Sequence, residues 1–409
     1  MYNTVFYIIL GIIIFDFLLE RFLNYLNSKR MSSQLPEEVS DVYNAVEYKK
    51  SQDYKKTNDK FGLWVSTFNF IIILLMLFYG GFAYVDGIAR SFADNPVVVA
   101  IIFFGILMFA SDLINTPFSI YDTFVIEERF GFNKTSPKTF INDKLKGWLL
   151  GGIIGGGLLA LIIWFYQVTG RYFWFYAWIL ISVFMIFMSM FYSTLIVPLF
   201  NKQEPLEEGD LRNAIEEFSE KAKFKLKNIF VIDGSKRSSK ANAYFSGLGS
   251  KKRIVLFDTL IKDLKNQEIV AVLAHEIGHY KKKHTLTSIV LSILQTGITL
   301  YILSLFIDSP ALSKALGAEQ PSFHLGLIAF GILYSPISLI IGLLMNIFSR
   351  KNEYQADRFA KKHHNPEDLV QALKKLSKNN LSNLTPHPVY VFFHYSHPPL
   401  LKRIRALKQ

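Results

Sequence analysis

Ala271-Val-Leu-Ala-His-Glu-Ile-Gly-His-Tyr280 holds the pattern H-E-x-x-H at His275, Glu276 and His279. On a helix, residues i and i+4 lie on one face a turn apart, so the two imidazoles can grip one metal ion. Glu276 projects beside them, placed to take a proton from a water activated by that metal. The surroundings favour a helix. Asn266 is expected as its N-cap, Glu268 suits the first turn, and Ile269, Val270, Val272 and Leu273 give it an apolar body. The bland alternative is a charged helix with two incidental histidines; the helical setting favours zinc.

The rest of the chain says where such a helix works. Of 409 residues, 51% are hydrophobic and only 19% charged, and the apolar residues cluster in long runs. There is no cysteine, so disulfides, thiolate metal sites and thiol nucleophiles are excluded, and the ligands must be His, Asp or Glu. Seven runs are each long enough to cross a bilayer: Thr4–Leu26, Phe61–Val85, Pro96–Ile120, Gly147–Val168, Tyr172–Leu199, Leu286–Ile307 and Phe323–Phe348. The first carries no Lys or Arg before Arg21, so it reads as a retained span and not as a signal peptide. Asn27–Lys60 is expected to be partly helical, and Tyr121–Lys146 to be a mixed polar loop. Asp112 and Asn115 lie within an apolar run, where they would line an interior or cap a break before Pro117. Alternate loops differ in charge. Asn27–Lys60 has seven Lys/Arg and Asp122–Lys146 has five, whereas Arg90, Arg171 and Lys314 stand one to a loop on the opposite side. By the positive-inside rule the N-terminus is outside, and the metal-binding segment and C-terminus are cytoplasmic. The net charge of +12 follows this topology, which disfavours a nucleic-acid partner.

Residues 200–285 read as a small α/β unit between membrane helices 1–5 (residues 1–199) and helices 6–7 (286–349). A helix is expected over Leu211–Ala222 and strands over Asn228–Asp233, Asn242–Leu248 and Arg253–Phe257, with Gly247 and Gly249 at turns or bulges. Strands followed by a metal helix suit a zinc peptidase whose substrate lies along a sheet edge. Two histidines do not complete a catalytic zinc site, which usually has three protein ligands. His284 belongs to the basic tail Lys281–His284 and falls one residue short of a known ligand spacing. Glu353 and Asp357, in the C-terminal segment 350–409, are i and i+4 on one helix face. Either they are a solvated face neutralised by Arg350, Lys351 and Arg358, or Glu353 ligates zinc while Asp357 holds a ligand histidine by its other ring nitrogen. Two spans separate His279 from Glu353, so both return to the same side, and both ligand helices are expected to run straight into spans.

His275-Glu-Ile-Gly-His279, Glu353-Tyr-Gln-Ala-Asp357, Asp122–Lys134, Pro198–Lys202, Asp233–Ser239, Asn242-Ala-Tyr-Phe245 and Ser396-His-Pro-Pro-Leu400, together with seven spans, resemble the type I CAAX prenyl protease family. The resemblance implies a mainly α, polytopic membrane protein. Its seven transmembrane helices would enclose a chamber, with a small zincin-like α/β metalloprotease domain beside them. It further implies one Zn2+ per chain on His275, His279 and Glu353, and Glu276 as base. Asn242, Ala243 and Tyr244 would form a substrate-pairing edge, with His397 and Arg403 near the scissile carbonyl or the ligand set. His363, His364, His387 and His394 read as surface or packing residues.

The activity implied is hydrolysis after a prenylated cysteine with release of the last three residues. The partners would be a prenylated or membrane-associated substrate and the lipid bilayer of an endoplasmic reticulum or bacterial inner membrane, with the chain acting as a monomer. A quality-control zinc protease acting on unprenylated membrane proteins shares the chemistry. A metal-regulated transporter would instead spread charges through several spans, and that pattern is missing here.

Overall fold

The computed structural model describes residues 3–32, 34–224, 229–247 and 252–409. The first part is helical. It comprises α1 (Thr4–Lys29), α2 (Ala45–Phe78), α3 (Gly81–Phe92), α4 (Pro96–Tyr121), α5 (Glu128–Phe130), α6 (Pro137–Leu150), α7 (Gly156–Thr169), α8 (Phe173–Leu195) and α9 (Val197–Phe200). Local chemistry sets the starts. Asn3 accepts from the Phe6 N–H at 2.9 Å, Asn44 and Glu47 cap each other's backbone, and Asn95 precedes Pro96 at the head of α4.

Two expectations about the helical first part need correction. The second apolar run stops at Phe78, because Gly80 takes a left-handed turn (φ 65°) and Val85 then belongs to the separate helix α3. The expected polar loop over Tyr121–Lys146 is mostly helix. A π-helical turn over Asp122–Glu127 carries α4 into α5, Gly131 (φ 87°) ends it, and Ser136 with Pro137 starts α6. Pro117 lies inside α4 without breaking it.

Among the described residues, five helices are long and apolar enough to cross a membrane: Ala45–Phe78, Pro96–Phe130, Pro137–Phe200, His284–Phe306 and Phe323–His363. The third folds back at Gly170 (φ 55°), laying α7 against α8. The first expected run is helical throughout as α1, but it carries Asp16, Glu20 and Arg21 and falls outside the five.

A four-stranded sheet follows: β1 (Gln203–Pro205), β2 (Ile229–Ile232), β3 (Ala243–Ser246) and β4 (Arg253–Phe257), in the order β1-β2-β4-β3. β2 and β4 are parallel, the other pairs antiparallel, and β3 is an edge. The three expected strands are present in shortened form; Asn228, Leu248 and Gly249 lie outside the described residues. α10 (Asp210–Lys221), α11 (Asp258–Asp263) and α12 (Asn266–Lys281) cover this sheet. Ile215, Leu256, Leu260, Ile269, Leu273 and Ile277 are all at most 1% exposed in their shared core. Each such side chain contributes roughly 1.5–3 kcal/mol of hydrophobic stabilisation.

The N-cap of α12 is Lys265, not Asn266: the Lys265 N–H donates to Glu268 Oε2 at 2.8 Å. α12 also does not run into the next span. Lys282 and Lys283 (φ 59°) form a turn, and α13 (His284–Phe306) starts anew. After α14 (Pro310–Ala315) comes α15 (Phe323–His363), 41 unbroken residues that pass from an apolar stretch into the sheet-covering layer. The C-terminal segment, polar and basic in sequence, folds into α16 (Pro366–Asn379), α17 (Pro388–His394) and α18 (Leu400–Lys408). It is tied to the α1–α2 loop by Arg405–Glu38 and by Lys374–Asp41 at 2.7 Å.

Candidate active site

α12 crosses α15 closely enough to need a small residue. A Cβ on Gly278 would meet the Ala356 Cα and Phe359 Cβ at 3.1 Å. The crossing brings His275 and His279 from α12 against Glu353 and Asp357 from α15. His275 Nε2 lies 3.1 Å from His279 Nε2 and 3.4 Å from Glu353 Oε2, and His279 Nε2 lies 3.2 Å from Glu353 Oε1. These are the separations a metal fits. Tetrahedral bonds of ~2.1 Å put ligand atoms ~3.4 Å apart. Glu353 Oε2 is buried without a hydrogen-bond partner among the described residues, an acceptor that a cation would satisfy. His275, His279 and Glu353 therefore have the chemistry and the spacing for zinc.

Behind them is a supporting layer. His275 donates Nδ1–H to Asp357 Oδ1 at 2.8 Å, which turns its Nε2 towards the other donors. Burial pulls the His275 pKa down, but the carboxylates of Asp357 and Glu353 beside it outweigh burial and raise the value to about 9. Arg403, from α18, grips Asp357 with two bonds (Nε–Oδ2 2.9 Å, Nη2–Oδ1 2.6 Å) and lies 3.6 Å from Glu353 Oε2. It thus holds the holder of His275. His397 stands at the mouth, its side chain 64% exposed, with Nε2 3.3 Å from Glu353 Oε1. Glu276, Asn242 and Ala243 line the same cavity, about 410 Å³ in volume, while Tyr244 turns to Ser193 and an adjoining groove.

Sequence reasoning missed three contributors. His284 is no ligand of this group; its Nδ1 lies 3.0 Å from His279 Nδ1, fixing the second imidazole as Asp357 fixes the first. Leu369, Leu373 and Leu376 of α16 form the cavity's apolar wall, a helical period legible in the sequence but masked there by the surrounding charge. Arg237 and Lys240 join the sheet to the helices. Arg237 pairs with Asp143 (2.7 Å) and Asn201 (2.8 Å), and Lys240 with Glu127 (2.8 Å) and Tyr54 (3.0 Å). Asp112, within α4, is held by Lys144 at 2.8 Å and Trp148 at 3.0 Å. His363 is exposed, His364 bonds the Gln267 carbonyl, and His387 and His394 sit on α17 and its cap, away from the metal group.

Residues 205–409 match peptidase family M48. The chain belongs to that family. Residues 24–202 match the CAAX prenyl protease N-terminal domain, described as five membrane helices, so this M48 member is a multi-pass integral membrane protein. A CAAX prenyl protease 1 homolog of Arabidopsis thaliana is 38% identical, with 94% of each chain covered. CAAX prenyl protease 1 of Saccharomyces cerevisiae is 34% identical over 98% of this chain and 94% of its own. The crystal structure of Ste24p from S. mikatae superposes with a TM-score of 0.94 at 33% identity, covering 100% of both chains.

Proposed function

We propose that this chain is a zinc endopeptidase that hydrolyses the peptide bond after a prenylated cysteine and releases the C-terminal tripeptide. The observation that carries the reading is the convergence of His275, His279 and Glu353 at 3.1–3.4 Å beside Glu276, under a free sheet edge. Bound there, zinc supplies a Lewis acid and lowers the pKa of an attacking water towards ~7. Glu276 accepts that water's proton and returns it to the leaving amine. The outer edge of β3, from Ala243 and Tyr244 with Asn242 just before them, offers backbone groups unpaired among the described residues that align the substrate as an added strand. His397, exposed at the mouth, donates to the oxygen of the scissile carbonyl. Arg403 and Asp357 keep the His275 ring oriented.

The membrane part contributes seven crossings: α1, α2, α4, α6 with α7, α8, α13 and α15. They enclose a chamber, with the zincin-like sheet and α12 on the cytoplasmic side and the N-terminus outside. All ligands and the base come from one chain, so the working unit is a monomer. The test is cleavage of a farnesylated C-a-a-X peptide by the purified protein, with and without a zinc chelator, beside the same peptide lacking its lipid. Chelator-sensitive cleavage that needs the lipid is expected. Equal cutting of both peptides would move the assignment to membrane-protein quality control.

A further inference from the structure

We propose that the groove between α8 and β3 holds the isoprenoid chain of the substrate, an inference that rests on the prenyl-protease reading above. The groove is lined by Met188, Ser189 and Tyr192 of α8, by Tyr244, Phe245 and Ser246 of β3 with Gly247, and by Thr285 at the start of α13. None of these residues is charged. Its volume of about 320 Å³ lies within the range of ligand pockets, roughly 300–1,000 Å³. Phe245 and Thr285 also line the metal cavity, so the two spaces adjoin.

Strand polarity decides which part of the substrate faces the groove. Ala241, Asn242 and Ala243 line only the metal cavity, Phe245 lines both spaces, and Tyr244, Ser246 and Gly247 line only the groove. The metal thus belongs to the first half of β3 and the groove to its second half. Antiparallel pairing is the more stable per residue. A peptide paired that way enters at Gly247 and leaves at Asn242. Residues before the scissile bond then pass Tyr244–Gly247, and the released residues pass Asn242 and the leucines of α16. A thioether-linked chain on the residue just before the cut is delivered to the mouth of the groove.

The walls suit an isoprenoid. Met188 is adaptable, and the Tyr244 hydroxyl is occupied by Ser193 Oγ at 3.3 Å and Gln203 Nε2 at 3.5 Å, leaving its ring as wall.

The test uses the full-length, zinc-loaded protein and a C-a-a-X peptide with a benzophenone at the end of its isoprenoid chain. Irradiation and peptide mapping should place the label on Met188–Tyr192 or Tyr244–Gly247, and an unreactive farnesyl peptide should compete it away. Labelling of Leu369, Leu373 or Leu376, or labelling that does not compete, overturns the proposal. Ser189→Trp fills the groove. It should raise KM for the farnesylated peptide about tenfold, what losing some two buried methylenes costs. Zinc content should stay as it is, since Ser189 lines only the groove. An unchanged KM for the farnesylated peptide also overturns it. If the unsubstituted protein cuts neither peptide, the protease reading fails, while the crosslink, which needs no turnover, still decides the groove.

Discussion

Two buried histidine–aspartate–arginine clusters share the helix α15, one towards each end. In the first, His324 Nε2 is 2.6 Å from Asp86 Oδ1, and Arg90 bridges Asp86 at 2.9 Å to Ser322 at 2.9 Å. In the second, His275 meets Asp357 at 2.8 Å and Arg403 grips the same carboxylate. The residue types match, but the outcomes differ. The His324 ring packs on Phe103 at 4.5 Å, and its carboxylate is fully engaged, so the first cluster locks α3 to α15. The second leaves a nitrogen of His275 facing His279 and an unsatisfied oxygen of Glu353. Burial and charge pairing alone therefore identify a lock. Convergent donors with an acceptor left over identify a site.

The sharpest break of this contrast is Glu276→Gln, which touches only the second cluster. It should lower kcat by ~10²–10⁴ with zinc content unchanged by elemental analysis; normal turnover of the zinc-loaded variant would falsify the catalytic role. Asp86→Ala should do the reverse. Removing one partner of a buried pair costs about 3–5 kcal/mol, so the thermal midpoint should fall while turnover per folded molecule holds. Asp357→Asn should weaken zinc binding about 10–100-fold, as read by chelator competition, and should also lower the thermal midpoint, because it takes the carboxylate from the buried Arg403. Gly278→Ala should cost about 1–3 kcal/mol by overpacking the α12–α15 crossing, and zinc retention should fall with it.

The smallest effect belongs to neither cluster. The hydrogen bond from Arg405 lowers the Glu38 pKa; at Asp41 burial acts to raise it, but Lys374 and Gln371 prevail and lower it. Their stabilisation is present above the unfolded carboxylate values of about 3.9–4.3 and is lost as pH falls through the lower folded values. Acidification through that window should expose the loop before α2 to limited proteolysis.

Much of the second cluster was legible because its parts are local. His275 with His279, and Glu353 with Asp357, are each one helical turn apart, and spacing is what a sequence displays. The strands and the apolar runs were legible for the same reason. The turn at Lys282–Lys283 was not, since basic residues continue a helix as readily as they end one. It is this turn that swings His284 back onto His279. Val85 was assigned to the wrong helix because mean hydropathy does not register Gly80 with φ near 65°. Tyr121–Lys146 looked like a loop because its charges are neutralised by distant partners: Arg237 for Asp143, Lys240 for Glu127. In the first cluster only Asp86 and Arg90 are one turn apart on a single helix, a spacing that reads as an ordinary helix-surface ion pair; His324 comes from a distant run with no spacing to tie it to them.

α15 has one more consequence. At ~1.5 Å per residue its 41 residues form a rod of ~60 Å, anchored in lipid at one end and carrying Glu353 at the other. Such a rod changes its tilt to match the thickness of the host bilayer, and the histidines ride on a different helix beyond a turn. Bilayer thickness therefore bears on the helix that carries Glu353, and zinc affinity measured in short-chain and long-chain nanodiscs is expected to differ.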